Sequence, residues 1–126
     1  MKIYESGENY LETILLLRKK SGNVRAVDVA NELNFSKPSV SRALGILKNA
    51  GLVEIETSGN ILLTPDGEKK AGAIYERHRL ITRFLMMTLD VPEDIASADA
   101  CRIEHFISAE TFDKIRRFVE KREDLR

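Results

Sequence analysis

Apolar and polar positions along this chain change period twice, and the changes divide it. In "ENYLETILLLRKKSG" the apolar residues Tyr10, Leu11, Ile14, Leu15 and Leu17 fall three and four apart, the spacing of one helix face. Arg18, Lys19 and Lys20 followed by Gly22 close that face as a helix C-terminus should, which predicts a first helix from about Glu5 to Lys20. "RAVDVANELNF" gives a short second helix through Val27, Val29, Ala30 and Leu33. "SKPSVSRALGILKNAG" predicts a third. Ser36 is its N-cap, Pro38 sits in the first turn where a missing N–H does no harm, and Gly51 marks its end. Val40, Leu44 and Leu47 form the side that turns toward a core.

The period then shortens. Leu52, Val53 and Ile55 form one β-type run and Ile61 to Leu63 another, separated by "TSGN", a composition suited to a hairpin turn. Thr64, Pro65, Asp66 and Glu68 read as the N-cap, first position and acidic first turn of a long helix reaching about Leu89. "VPED" starts a fifth helix, with Pro92 near its first turn. Ser108 caps a sixth, whose stripe is Phe112, Ile115 and Val119.

Three helices followed by a two-stranded hairpin is the order of a winged helix-turn-helix. The expected fold is therefore mainly α: a winged helix-turn-helix DNA-binding domain over residues 1–64, then an all-helical domain over 65–126. In such folds the start of the third helix enters the major groove, where hydroxyls and N–H groups hold phosphates and an Arg reads guanine. The candidate DNA-binding residues are Ser36, Lys37, Pro38, Ser39, Ser41 and Arg42 there, Arg25 and Lys48 beside them, and Ser58 and Asn60 in the wing turn. A Ser-rich helix start is also what a capped helix looks like; the order of elements tips the reading to DNA.

Charge qualifies this picture. The 126 residues carry 20 Lys+Arg and 20 Asp+Glu, a net charge of zero, and neither half is a polybasic block. Double-stranded DNA must then be held by a few placed cations, and a homodimer would present two copies of them. No run is apolar enough to span a bilayer, and "MKIYESGENY" lacks the apolar segment of a secretory signal, so no membrane partner and a cytoplasmic location are expected. The single cysteine, Cys101, has no partner for an intramolecular disulfide and is a buried hydrophobe, a reactive group or a ligand.

Cys101 heads the one constellation with chemistry in it. On a helix, positions i, i+3 and i+4 share a face, so Cys101, Glu104 and His105 are expected to project a thiol, a carboxylate and an imidazole together while Ile103 and Phe106 serve the core. All three are Lewis bases once deprotonated, a donor set for a divalent metal. They are also common separately, so packing and ligation both stay open. Further donors are His78, mid-way along the long helix, and Asn9 with Glu12, i and i+3 neighbours on the first helix.

"ENYLETILLL", "VRAVDVANELNFSKPSVSRALGILKNAGLV", "GNILLTPDG", "ERHRLITRFL" and "DACRIEHFIS" resemble consecutive segments of the diphtheria toxin repressor and manganese transport regulator family, over nearly the whole chain. The resemblance implies a metal-dependent, dimeric winged-helix repressor that senses divalent iron or manganese and controls metal homeostasis genes. It makes 65–126 a metal-binding and dimerisation domain. By position it implies Cys101, Glu104 and His105 as the central ligand motif, His78 as the long-helix histidine, and Glu12 and Asn9 as the helix-one ligands.

This chain also departs from the family pattern. Asn9 stands where iron-type members have Met and manganese-type members Asp, and Cys101 is the iron-type choice where others have Glu. Thr82 and Ser97 replace the second-site carboxylate and histidine of iron-type members. Because the sequence stops at Arg126, the SH3-like third domain of longer members is not expected. A thiolate favours Fe(II); Mn(II) is second because of the short architecture, and Zn(II), Co(II) or Ni(II) binding is expected in vitro. Two other classes compete: a small zinc hydrolase, since "CRIEH" is one residue from H-x-x-E-H, and a winged-helix protein that senses an organic ligand or only contacts other proteins. The metal reading expects no organic substrate.

Overall fold

The computed structural model describes residues 5–124, with side chains from residue 7 onward; the extreme N-terminal segment and Arg126, which enter the expectations above, lie outside them. The element order is α1 (Glu5–Ser21), α2 (Ala26–Leu33), α3 (Lys37–Asn49), β1 (Val53–Ile55), β2 (Ile61–Leu63), α4 (Pro65–Leu89), α5 (Glu93–Ile103) and α6 (Ala109–Asp124). Mainly α with one small antiparallel sheet, it matches the architecture read from the pattern. The chain divides into two compact units, Met1–Ala73 and Ile74–Arg126.

In the first unit the apolar faces meet as their spacing requires. Leu11, Ile14, Val24, Val29, Val40 and Leu47 are all at or below 1% exposed, a core large enough to hold three short helices that would not persist alone. Helix boundaries follow local chemistry. Gly22, at φ 85°, closes α1 with its N–H on the Arg18 carbonyl. Asn34 takes the left-handed conformation at φ 57° that the turn between α2 and α3 needs, and Ser36 caps α3 by accepting from Ser39 N–H at 3.3 Å.

The wing is antiparallel, with Val53 opposite Leu63, Glu54 opposite Leu62 and Ile55 opposite Ile61. Two strands of three residues are marginal alone, and here they are tied to the segment between α1 and α2. Ile61 N–H donates to the Val24 carbonyl at 2.7 Å, and Val24 N–H donates to Asn60 Oδ1 at 3.0 Å. At the base of the wing, Thr64 Oγ1 donates to the Gly51 carbonyl and accepts from Gly67 N–H, capping α4. Gly67 is required there: a Cβ on it would lie 1.9 Å from the Leu52 carbonyl oxygen. Arg18 and Glu68 form an ion pair.

In the second unit Leu80, Ile115 and Val119 form a buried cluster, with Phe84, Met87, Ile107, Phe112 and Phe118 packed against it. Phe84 and Phe118 meet edge to face at 5.3 Å. Ser108 caps α6 through Thr111 N–H at 3.1 Å, as expected. Two expectations need correction. The fifth helix stops at Ile103, so Glu104 is its C-cap and His105 lies in the turn beyond it. Phe106 serves no core within the chain, being 76% exposed, because that turn directs it outward.

Candidate metal centre and nucleic-acid interface

Glu104 is the centre of the chemistry. Its N–H still bonds to the Ala100 carbonyl at 2.9 Å, so the end of α5 places its side chain inward although the helix is finished. Arg77, stacked 5.5 Å from the Phe112 ring centroid, donates from Nη1 to the Glu104 carbonyl at 3.1 Å and pins the turn. The Glu104 side chain is fully buried. Its two oxygens face the only two histidines of the chain: Oε2 lies 3.2 Å from His78 Nδ1 and Oε1 lies 3.4 Å from His105 Nε2. Neither oxygen makes a hydrogen bond.

Cys101, half-buried one turn earlier on α5, completes the group. One donor atom each from Cys101, Glu104 and His105 lies within 4.8 Å of the others. The turn after α5, rather than a shared helix face, produces this convergence. His78 is fixed from its other side by a 3.0 Å hydrogen bond between Nε2 and Ser97 Oγ, and Thr82 Oγ1 donates to its backbone carbonyl at 2.7 Å. The second unit thus brings Cys101, Glu104 and His105 together, with His78 at the other oxygen of Glu104. Asn9 and Glu12 stand on α1 in the first unit, one turn apart, with Asn9 half-buried and Glu12 buried.

These residues fit a divalent transition metal. A carboxylate removed from water with no hydrogen bond costs on the order of 1–3 kcal/mol or more, and a cation at its oxygens removes that cost. Two imidazoles, a thiol and a carboxylate are borderline donors suited to iron through zinc.

The candidate DNA-binding residues lie on the first unit. A groove of about 600 Å³ opens between the start of α2, α3 and the wing, lined by Arg25, Lys37, Ser41 and Lys48 among others. Lys37, Pro38, Ser39, Ser41, Arg42 and Ser58 are exposed. Ser36 and Asn60 are committed to the fold, Ser36 as cap and Asn60 by accepting from Val24 and donating to Glu56 Oε1 at 2.9 Å. Arg25 is held against the wing. A Cβ on Gly59, which sits at φ 93°, would lie 3.0 Å from its guanidinium, so the side chain would have to shift to admit one.

Sequence reasoning missed three contacts: Ser97 on His78, Arg77 on the Glu104 carbonyl, and Arg25 on Gly59. The first had a signal, since Ser97 and Cys101 are i and i+4 on one helix and must share its face. The other two depend on tertiary proximity.

Fold and site together define a winged-helix regulator with a divalent-metal centre in its helical half. Residues 2–60 match the family model described as the iron dependent repressor N-terminal DNA binding domain, and residues 64–124 match the iron dependent repressor metal binding and dimerisation domain. The chain belongs to the iron-dependent repressor family, metal-dependent DNA-binding transcriptional regulators rather than enzymes, which removes the hydrolase alternative. It is 39% identical over 114 residues to the transcriptional regulator MntR of Escherichia coli O157:H7, covering 90% of this chain and 73% of that one. It is 30% identical over 107 residues to the iron-dependent repressor IdeR of Mycobacterium tuberculosis, covering 85% and 46%. The structure of the manganese regulator SloR superposes with a TM-score of 0.79 at 28% identity, covering 95% of this chain and 55% of that chain, so this chain spans about half of SloR. No helix among the described residues is long and apolar enough to cross a membrane.

Proposed function

We propose that the chain is a cytoplasmic homodimeric repressor of metal homeostasis genes that binds double-stranded operator DNA when loaded with a divalent metal, Fe(II) first and Mn(II) second. The observation that carries this reading is the buried Glu104 carboxylate, flanked by both imidazoles and lacking any hydrogen bond. Cys101, Glu104, His105 and His78 are the ligands from residues 65–126, the metal-binding and dimerisation part. Glu12 and Asn9 complete the set from residues 1–64, the DNA-binding part. A bound cation supplies positive charge that neutralises the carboxylates and draws the donors to a common centre.

The residues do the rest. Glu12 and Asn9 couple the site to α1, which packs on α2 and α3, so occupancy biases the pose in which the two recognition helices of a dimer lie about 34 Å apart. Lys37, Ser39, Ser41 and Arg42 at the start of α3, with Arg25 and Lys48 across the groove and Ser58 at the wing, meet the phosphates and base edges. Ser36, Pro38 and Asn60 fix the backbone that presents them. Exposed Leu89, Ile95 and Phe106, at 64%, 49% and 76%, supply apolar surface for the dimer. Linkage requires operator DNA to tighten metal binding by the factor by which metal tightens DNA binding.

Fe(II) is preferred because a thiolate is a softer donor than Mn(II) favours. Mn(II) is the second reading, favoured by the likeness to SloR, described as a manganese regulator. The test is anaerobic operator binding titrated with Mn(II), Fe(II), Co(II) and Zn(II), for the wild type and Cys101→Glu. A shift of preference toward Mn(II) in the variant supports Cys101 as the selecting ligand. Unchanged metal dependence in Glu104→Ala or His105→Ala would sink the proposed site.

A further inference from the structure

His78 has two ring nitrogens, and both are spoken for. Nδ1 faces Glu104 Oε2 at 3.2 Å. Nε2 faces Ser97 Oγ at 3.0 Å. A neutral imidazole carries one proton, so the nitrogen that keeps it determines which one can ligate.

We infer that Ser97 is a positioning residue of the metal centre: its hydroxyl accepts from His78 Nε2–H, which leaves the Nδ1 lone pair aimed at the Glu104 side. The inference rests on the metal site proposed above and gives a role to a residue that the family resemblance treats only as a replaced ligand.

Three observations separate this from an ordinary buried serine. A hydroxyl inside a helix commonly turns back to the carbonyl four residues earlier, as Thr82 does to His78 and Thr88 does to Phe84, both at 2.7 Å. Ser97 instead reaches from α5 to a ring on α4. Its helix places it four residues before Cys101, so the group that orients one ligand and the helix that carries another are a single rigid element. Thr82 fixes the backbone of His78 while Ser97 fixes its ring, so the side chain is held at both ends. Hydrogen-bond partners of this kind fix tautomer and ring orientation, and losing one typically lowers metal affinity about ten- to a hundred-fold.

The experiment uses the full chain with 15N-labelled histidine. Zn(II) serves as a diamagnetic probe for the tautomer, and Co(II) absorption gives the affinity. Only two imidazoles contribute signals, and a His105→Gln variant assigns them. The expected wild-type result with Zn(II) is His78 with Nε2 protonated and Nδ1 bound. Ser97→Ala is expected to lower Co(II) affinity about ten- to a hundred-fold and to give mixed His78 tautomers, with an unchanged thermal midpoint in chelator. Ser97→Thr, which keeps the hydroxyl, restores both.

Affinity and tautomer in Ser97→Ala equal to wild type would overturn the inference and leave the metal site standing. So would equal losses in Ser97→Ala and Ser97→Thr with a lowered midpoint in chelator, which is the signature of packing alone. Zn(II) leaving the wild-type His78 signals unmoved would remove the metal site itself, and the inference with it.

Discussion

Replacing Glu104 by Gln is expected to make the metal-free protein more stable and the metal-loaded protein less so. Glu104 is 1% exposed, and its oxygens approach two imidazole nitrogens at 3.2 and 3.4 Å without a hydrogen bond. The fold thus takes a carboxyl group out of water without giving either oxygen a hydrogen bond. A neutral amide of the same shape removes that cost and can donate to an imidazole nitrogen. The relief is on the order of 1–3 kcal/mol, which for a chain of 126 residues corresponds to a rise of roughly 3–10 °C in Tm in excess chelator. With metal at about a thousand times Kd, the wild type gains about 4.1 kcal/mol that the variant forfeits, so the order of stability reverses. Thermal unfolding at pH 8 and fixed protein concentration, with chelator and then with Co(II), measures both. A Glu104→Gln protein less stable than wild type in chelator would refute the reasoning, because it would mean the carboxylate is already satisfied.

Three further outcomes follow from the geometry. Gly67→Ala should cost at least 1–3 kcal/mol, since its Cβ meets the Leu52 carbonyl oxygen at 1.9 Å and both partners are backbone-limited; chemical denaturation checks it. Arg42→Ala should weaken operator binding and lower the slope of log K against log salt by about 1 if Arg42 contacts a phosphate; an unchanged slope with relaxed specificity would place it on a base. Burial holds the Tyr10 phenol above its ordinary value of 10.0, so its neutral form is favoured in the fold. That contribution is full below pH 10 and lost as pH rises through the raised value, and Tyr10→Phe should flatten the alkaline limb of the stability curve.

Much of this molecule was legible in the order of its residues, for physical reasons that also explain the rest. Helices with a clean stripe and a chemical stop, such as α1 ending on three cations and Gly22 or α3 opening on Ser36 and Pro38, are specified locally. The wing was legible because the period drops from 3.6 to 2 between Leu52 and Leu63. The end of α5 was not, because Glu104 and His105 carry no breaker; the turn is held by Arg77 from a distant helix. The i, i+3, i+4 spacing picked out Cys101, Glu104 and His105, whose donor atoms do converge, but through the turn after α5 and not along one helix face. Asn60 and Ser36, expected at the DNA, also hold the fold through their side chains, a role that only the tertiary contacts reveal.

The hydrogen bonds that join Val24 with Ile61 and Asn60, and the seat of Arg25 on Gly59, have a practical meaning for anyone recombining such proteins. The hairpin is not a detachable module. A wing exchanged between relatives at residues 56–61 alone would arrive without the backbone that braces it and would leave Arg25 without a seat. A graft that transfers residues 24 and 25 together with the hairpin carries the whole mechanical unit, and it is at that seam that a chimera of this family should be cut.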